Sequence, residues 1–320
     1  MLAAVFNNKT KQVDVKQVPT PIAEANDQVV NIRAAALNHR DVWITKGMYP
    51  GIVDGIILGS DAVGSVDGRD VLINPGLNWG TNEQVQGQDF KVLGMPDDGT
   101  FADHIAISSQ YIHDKPAYLT DHEAAALPLA GVTAYRTLIT RCQVQPGDHV
   151  LVTGIGGGVA LMAAQMAIAM GCKVYVTSGS QDKIDKAVAL GAVGGANYKS
   201  EDWHRDLSAM SGGMDVIIDS AGGDSFQFLV KLCKPGARIG FYGAGQGKWT
   251  NINPQLLFWR QVSILGSTMG SDLDFVNMLH FVSEHSIRPV IDQVFRLSDI
   301  HAAFDRMAAG NQFGKIVVEI

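Results

Sequence analysis

The stretch His149-Val150-Leu151-Val152-Thr153-Gly154-Ile155-Gly156-Gly157-Gly158-Val159-Ala160, followed by an apolar run to Met170, decides how this chain is read. A short apolar strand enters a glycine-rich turn and then a helix. In that arrangement the glycines let the main chain turn tightly, so that the first helical amides face a pyrophosphate. Counted from Gly154, Val159 stands where the third glycine of G-x-G-x-x-G would fall, and the loop by itself is a weak signal. Its setting makes it a strong one. Strand and helix alternate onward from it: His149 to Thr153, helix Val159 to Met170, Lys173 to Thr177, helix Asp182 to Leu190, Asp215 to Asp219, helix Ser225 to Leu232, Arg238 to Tyr242 and Ser263 to Ser267. Short apolar strands separated by helices predict an α/β fold with a parallel, doubly wound sheet covered on both faces. Gly154, Gly156, Gly157, Gly158 and Val159 are then the candidate pyrophosphate loop of a dinucleotide site.

The end of the second strand bears on which dinucleotide. An acid about 20 residues after the loop would accept from both ribose hydroxyls of NAD and repel a 2′-phosphate. Here Val174-Tyr175-Val176 runs into Thr177-Ser178-Gly179-Ser180-Gln181-Asp182-Lys183, with no acid at the tip. Ser178, Ser180 and Lys183 offer donors and a positive charge to a phosphate, while Asp182 turns into the start of the following helix. NADP(H) is therefore expected over NAD(H). The plainer alternative is that Ser180 caps the helix and Lys183 belongs to a solvated face. The third and fourth strands end at Ser220-Ala221-Gly222 and Tyr242-Gly243-Ala244, where crevice walls of such sheets meet the cofactor.

Upstream the pattern differs. Val13 to Gln17, Gln28 to Ala36, Ile57 to Val66, Val71 to Asn74 and Phe101 to Ile107 read as strands punctuated by turns, with one short helical stretch around His39 to Lys46. A mostly β, barrel-like domain is expected over residues 1–118. Thr120-Asp121-His122-Glu123 is a capping box opening a helix, and no second histidine follows to complete a zincin motif. The dinucleotide domain is expected over 119–262. Residues 263–320 hold the last strand of its sheet, a helix capped by Ser298 and a final strand Lys315 to Ile320 that returns to the first domain.

Composition narrows the classes. Of 320 residues 46 % are hydrophobic and 18 % charged, enough apolar material for a large core and against disorder. The net charge of -7, with no Lys/Arg cluster longer than a pair, disfavours nucleic acid. Neither a basic leader nor an apolar run of ~18 residues is visible, so no membrane partner and a cytoplasmic location are expected. Cys142, Cys172 and Cys233 lie far apart and form no C-x-x-C pair, which excludes a cysteine zinc site and predicts inert thiols.

Together these residues resemble the medium-chain dehydrogenase/reductase superfamily. The likeness is carried by Pro146-Gly147-Asp148-His149 leading into the glycine loop, Leu190-Gly191-Ala192 after the second helix, and Gly314-Lys315-Ile316-Val317-Val318 at the end. Leu37-Asn38-His39-Arg40-Asp41, followed by Gly47-Met48-Tyr49-Pro50, is similar to its zinc-independent quinone oxidoreductase branch. The resemblance implies a GroES-like catalytic domain beside a Rossmann domain, and an NADPH-dependent oxidoreductase acting on a quinone, enone or enal. It gives Asn38 a hydrogen bond to substrate or nicotinamide ribose, Asp41 the fixing of its loop, and Tyr49 either a hydrogen bond to the developing oxyanion or a proton passed through water. Thr133 is implied near the nicotinamide, Tyr198 by the 2′-phosphate, and Ala221, Gly222, Tyr242 and Gly243 along the cofactor.

Zinc alcohol dehydrogenases are the alternative branch. In the matching register their ligands are replaced by Asn38, Ser60-Asp61 and Leu129, and residues 74–100 hold no cysteine for a structural zinc. A site improvised from His39, Asp61 and another histidine is the remaining route to a metal; otherwise Asp61 pairs with Arg40. A third reading is a cofactor-binding protein with little turnover. The strand Ser263 to Ser267, weakly charged and at an expected sheet edge, predicts a homodimer.

Overall fold

In the computed structural model, which describes residues 1–24 and 26–320, the chain divides into two units, Met1–Ala130 with Ser271–Ile320, and Gly131–Gly270. These units divide the chain at 130/131 and 270/271. A local contact ties residues 119–130 to the first unit. The helix Asp121–Ala125 carries the capping box of Thr120 and Glu123, and Arg33 and Lys115 of the first unit both bond to its Asp121.

In chain order the elements begin with β1 (Leu2–Asn7), β2 (Gln12–Gln17), β3 (Asp27–Ala36), α1 (His39–Thr45), β4 (Asp61–Val66), β5 (Arg69–Ile73), β6 (Gly76–Leu77), β7 (Lys91–Val92), β8 (His104–Ser108), β9 (Ile112–Asp114), α2 (Asp121–Ala125) and α3 (Pro128–Tyr135). The second unit adds β10 (His149–Val152), α4 (Gly158–Ala169), β11 (Lys173–Ser178), α5 (Gln181–Ala189), β12 (Gly194–Asn197), α6 (Trp203–Ser211), β13 (Met214–Asp219), α7 (Phe226–Leu232), β14 (Cys233–Phe241), α8 (Pro254–Arg260) and β15 (Ser263–Gly266). The chain closes with α9 (Asp272–Glu284), β16 (Ile291–Arg296), α10 (Ile300–Ala308) and β17 (Lys315–Glu319).

In the first unit, β16-β17-β3-β4-β5-β9 form one sheet, with β8 on the other half of β3. The last strand does return to the first domain, as the sequence suggests: β17 runs antiparallel to β3, with Val317 opposite Ala36. Its helix begins after a 3₁₀ turn at Leu297–Asp299, so Asp299 and not Ser298 precedes α10. Alternation puts Ala35, Leu37, Ile316 and Val318 inside, where they meet Phe6, Ile44, Phe101 and Phe304 in one core.

The second unit is a parallel sheet in the order β12-β11-β10-β13-β14-β15. Val150, Leu151 and Val152 are fully buried, as expected of a central strand covered on both faces. The order reverses between β10 and β13, and ligands of such sheets bind outside the carboxyl ends of strands at that point.

Candidate functional site

The glycine loop leaves β10 at that switch point. Gly154 and Gly156 have φ of 65° and 139°, backbone that side chains rarely adopt, and this is what lets the chain double back into α4. Gly157 is the N-cap of α4 and has an ordinary φ of −79°, yet a Cβ built there would meet nothing within 4 Å. No side chain caps the helix. Its first-turn amides, with the positive end of the helix behind them, face space that an anion can enter. Val159 lies in this first turn.

Buried Asp219, at the end of β13, organises the neighbouring turns. It accepts from Thr153 Oγ1 at 2.6 Å, from the Ala221 amide at 3.3 Å and from the Gly222 amide at 2.9 Å. Sequence reading missed it, although an acid closing an apolar strand is a visible signal. Tyr242 donates its amide to the Asp219 carbonyl, and burial pushes its phenol up, so it stays protonated. Gly243 follows it, with a prospective Cβ 3.1 Å from the Ser220 carbonyl. Thr133 is buried in α3, its hydroxyl 3.9 Å from Met269 Sδ.

At the tip of β11, Ser178 Oγ accepts from the Ser180 amide at 3.2 Å, and Ser180 is the N-cap of α5 without a side-chain cap bond. Its hydroxyl is thus not used as a cap. Asp182 is exposed and pairs with Lys186, and Lys183 is half-buried. Tyr198 donates its amide to the Ser178 carbonyl, and its hydroxyl and the Lys199 stem crowd Gly179. Lys199 at this tip is a second basic residue that the sequence reading passed over, because it lies beyond β12, a strand whose Gly-Gly-Ala-Asn text carries no β signal.

The polar centre of the first unit follows from strand register. Extending the β17–β3 pairing beyond Val317 and Ala36 sets Lys315 against Asn38, and the β3–β4 pairing sets Asp61 against Ala36. The side chains meet. Lys315 Nζ donates to Asn38 Oδ1 at 2.7 Å and to Asp61 Oδ2 at 2.8 Å, while Asn38 Nδ2 donates to Asp61 Oδ2 at 2.9 Å. Asp61 Oδ1 accepts from the Leu129 amide at 2.7 Å, and the carboxylate is fully buried. Lys315 was not among the expected site residues, although a lysine opening the apolar run Ile316-Val317-Val318 is itself a cue.

This overturns the expected pairing of Asp61 with Arg40. Arg40 instead donates to Ser60 Oγ and the Leu93 carbonyl, both at 2.7 Å, and to Tyr49 Oη at 3.2 Å, with its guanidinium 4.9 Å over the Tyr49 ring. Asp41 is buried at the first turn of α1, where Oδ2 accepts from the Asn38 amide at 2.8 Å. Its Oδ1 has no partner, and burial raises its pKa to about 6 despite Arg40 alongside. His39 is open to solvent, yet surrounded closely enough that desolvation, and then Lys315, lowers its pKa.

A glycine-rich turn at the switch point of a doubly wound sheet and, in the same chain, a β unit with a buried polar centre are the architecture of the two-unit dehydrogenase class. Residues 24–117 match the alcohol dehydrogenase GroES-like domain family, and residues 158–284 match the zinc-binding dehydrogenase family. The chain is 34 % identical to the zinc-type alcohol dehydrogenase-like protein YogA of Leptosphaeria maculans, over 97 % of this chain and 94 % of that one. A crystal structure of an NAD-dependent alcohol dehydrogenase is 34 % identical and superposes with a TM-score of 0.94, covering 100 % of both chains. The quinone oxidoreductase of Thermus thermophilus, also solved with NADPH, is 26 % identical with a TM-score of 0.85 and the same full coverage. The chain belongs to the medium-chain dehydrogenase/reductase superfamily, and is an oxidoreductase of that family.

The zinc in one family's description asks for three nitrogen, sulfur or carboxylate ligands around an open position. Asn38, Ser60, Asp61 and Leu129 do not fit it. Asp61 is saturated by an amide, an asparagine and an ammonium, and among the described residues no group of three His, Cys, Asp or Glu side chains could hold a metal ion.

Proposed function

We propose that the protein is an NADPH-dependent reductase that delivers hydride to a quinone or an α,β-unsaturated carbonyl compound without zinc. The observation that carries this reading is the Lys315 ammonium bonded to both Asn38 and Asp61. An alcohol substrate needs a Lewis acid to bring its pKa toward neutrality. A conjugated acceptor does not, because its reduced form is a stabilised phenolate or enolate that hydrogen-bond donors can hold. NADPH, when bound, supplies the hydride. Gly154, Gly156, Gly157, Gly158 and Val159 would hold its pyrophosphate, and Thr133, Ala221, Gly222, Tyr242 and Gly243 would line the rest of it. Ser178, Ser180, Lys183 and Tyr198 would take the 2′-phosphate. Asn38 would orient the substrate or the ribose, Asp41 would fix the turn that carries Asn38, and Tyr49 would pass a proton through its hydroxyl.

The likeness to the Thermus quinone oxidoreductase supports this choice of acceptor and cofactor. The equally full likeness to an NAD-dependent enzyme points to the other cofactor, and tip chemistry favours NADPH. No acid ends β11, the Ser180 side chain makes no cap bond, and Lys199 joins Lys183 there. Each charge-assisted contact to a phosphate is worth about 1.5–3 kcal/mol, so Lys183→Ala should weaken NADPH about tenfold or more and leave NADH nearly unchanged. Ser178→Asp should invert the preference. Fluorescence titration of both cofactors checks this; wild type binding NADH at least as tightly as NADPH overturns the assignment. NADPH binding without turnover of a simple quinone would select the cofactor-binding reading, and stoichiometric zinc in the purified protein would overturn the metal-free one.

Two further parts of the reading concern assembly and place. β15 is an edge of its sheet, and on the preceding α8 Phe258 is 65 % and Trp259 84 % exposed, so a homodimer through this edge fits the surface. Free cysteines fit a reducing, cytoplasmic compartment. Burial pushes the Cys142 and Cys233 thiols up to about 12 and Cys172 to about 11, which leaves them protonated and unreactive.

A further inference from the structure

We propose that Lys315 is a catalytic residue that donates a hydrogen bond to the oxyanion formed on the acceptor; this rests on the reductase reading above. The cluster around Lys315 has been spent in a particular way. Both oxygens of Asp61 are taken, Oδ1 by the Leu129 amide and Oδ2 by Asn38 and Lys315. Asn38 gives its amide to Asp61 and its oxygen to Lys315. Lys315 itself has three N–H donors and uses two, and among the described residues nothing accepts the third. Its side chain keeps 5 % exposure against none for Asp61, so of the two charged groups the lysine is the one with surface left to meet a ligand.

The donor is also held rigidly. Lys315 opens β17, Asp61 opens β4 and Asn38 caps α1, so strand register and not a loop fixes the ammonium. A preorganised donor of this kind acts most strongly where charge develops, because nothing needs to reorient when the reaction occurs. In the reduction of an enone, a hydride adds to the β-carbon and the C=C electron pair shifts to the carbonyl, whose oxygen becomes an enolate oxyanion. The nicotinamide is oxidised, and a solvent proton then adds to the α-carbon. Lys315 keeps its proton throughout and stabilises the oxyanion; a quinone acceptor gives a phenolate at the same place.

The probe is 4-nitrophenolate, a stable phenolate, titrated by absorbance against the full-length protein. Lys315→Met alone leaves the Asp61 charge buried without a counterion, so the informative variant is Lys315→Met with Asp61→Asn, which removes both charges together. Wild type should bind the phenolate about 10-fold to 100-fold more tightly than the double variant, with NADPH affinity the same in both. The kcat for a quinone should fall with KM little changed. Equal phenolate affinity in the two proteins, or no phenolate binding to wild type, overturns the proposal. Absence of NADPH binding to wild type fails the reductase reading instead, and the phenolate comparison still judges the donor.

Discussion

Asp41→Asn isolates a fully buried carboxyl whose environment works against its charge. Asp41 is fully buried, one of its oxygens has no partner, and its pKa is raised from 3.8 to about 6 by desolvation that Arg40 and the Asn38 amide only partly offset. A raised pKa means that the native state holds this proton more tightly than the unfolded chain does. The stabilisation is then complete below about pH 4 and is lost as pH rises through about 6. At 1.36 kcal/mol per pH unit, the interval between 3.8 and about 6 corresponds to about 3 kcal/mol. Removing the ionisation should therefore make the variant gain on wild type by most of that amount, about 2 kcal/mol, between pH 4 and pH 7. Proton release gives a reading that holds even if the two units unfold separately, since it depends only on the end states. At pH 5, native Asp41 is mostly protonated and unfolded Asp41 mostly ionised, so wild type should release about 0.8 proton more than Asp41→Asn on unfolding. Calorimetry in buffers of different ionisation enthalpy measures that number. Equal release from both proteins would refute the argument and mean that the unpartnered oxygen is charged and satisfied in the native state.

Two other substitutions probe the cofactor loop and the assembly. Gly157→Ala adds a Cβ that meets no protein atom within 4 Å at an ordinary backbone angle, so the thermal midpoint should stay within about 2 °C while NADPH binding weakens about tenfold or more. A drop in stability with binding intact would show that the space beside Gly157 belongs to the protein and not to a ligand. Trp259→Glu, on a surface 84 % exposed, should leave the fold intact and shift the protein to monomer in light scattering at micromolar concentration. A dimer unchanged by the charge would place the contact elsewhere.

Elements whose signal is local were legible in the amino-acid sequence. A strand, glycines and an apolar helix in succession specify the loop after β10, and the apolar runs of β11, β13 and β14 specify parallel strands covered on both faces, because periodicity and backbone freedom act within a dozen residues. Weak local signals went unread: Gly194–Asn197 forms a strand only because β11 presents an open edge to it, and Asp272–Glu284 forms a helix started by the Ser271 and Asp274 capping box. The polar centre is a product of long-range pairing. Asn38, Asp61 and Lys315 lie as much as 277 residues apart, and nothing local says that β17 pairs with β3 in the register that sets Lys315 against Asn38. Sequence offered Arg40 as the partner of Asp61 because it is the nearby cation, but the fold points Arg40 at Ser60, Tyr49 and the Leu93 carbonyl. Burial then does the rest: a carboxylate with no access to water holds its charge only beside a cation, and strand register determines which cation that is.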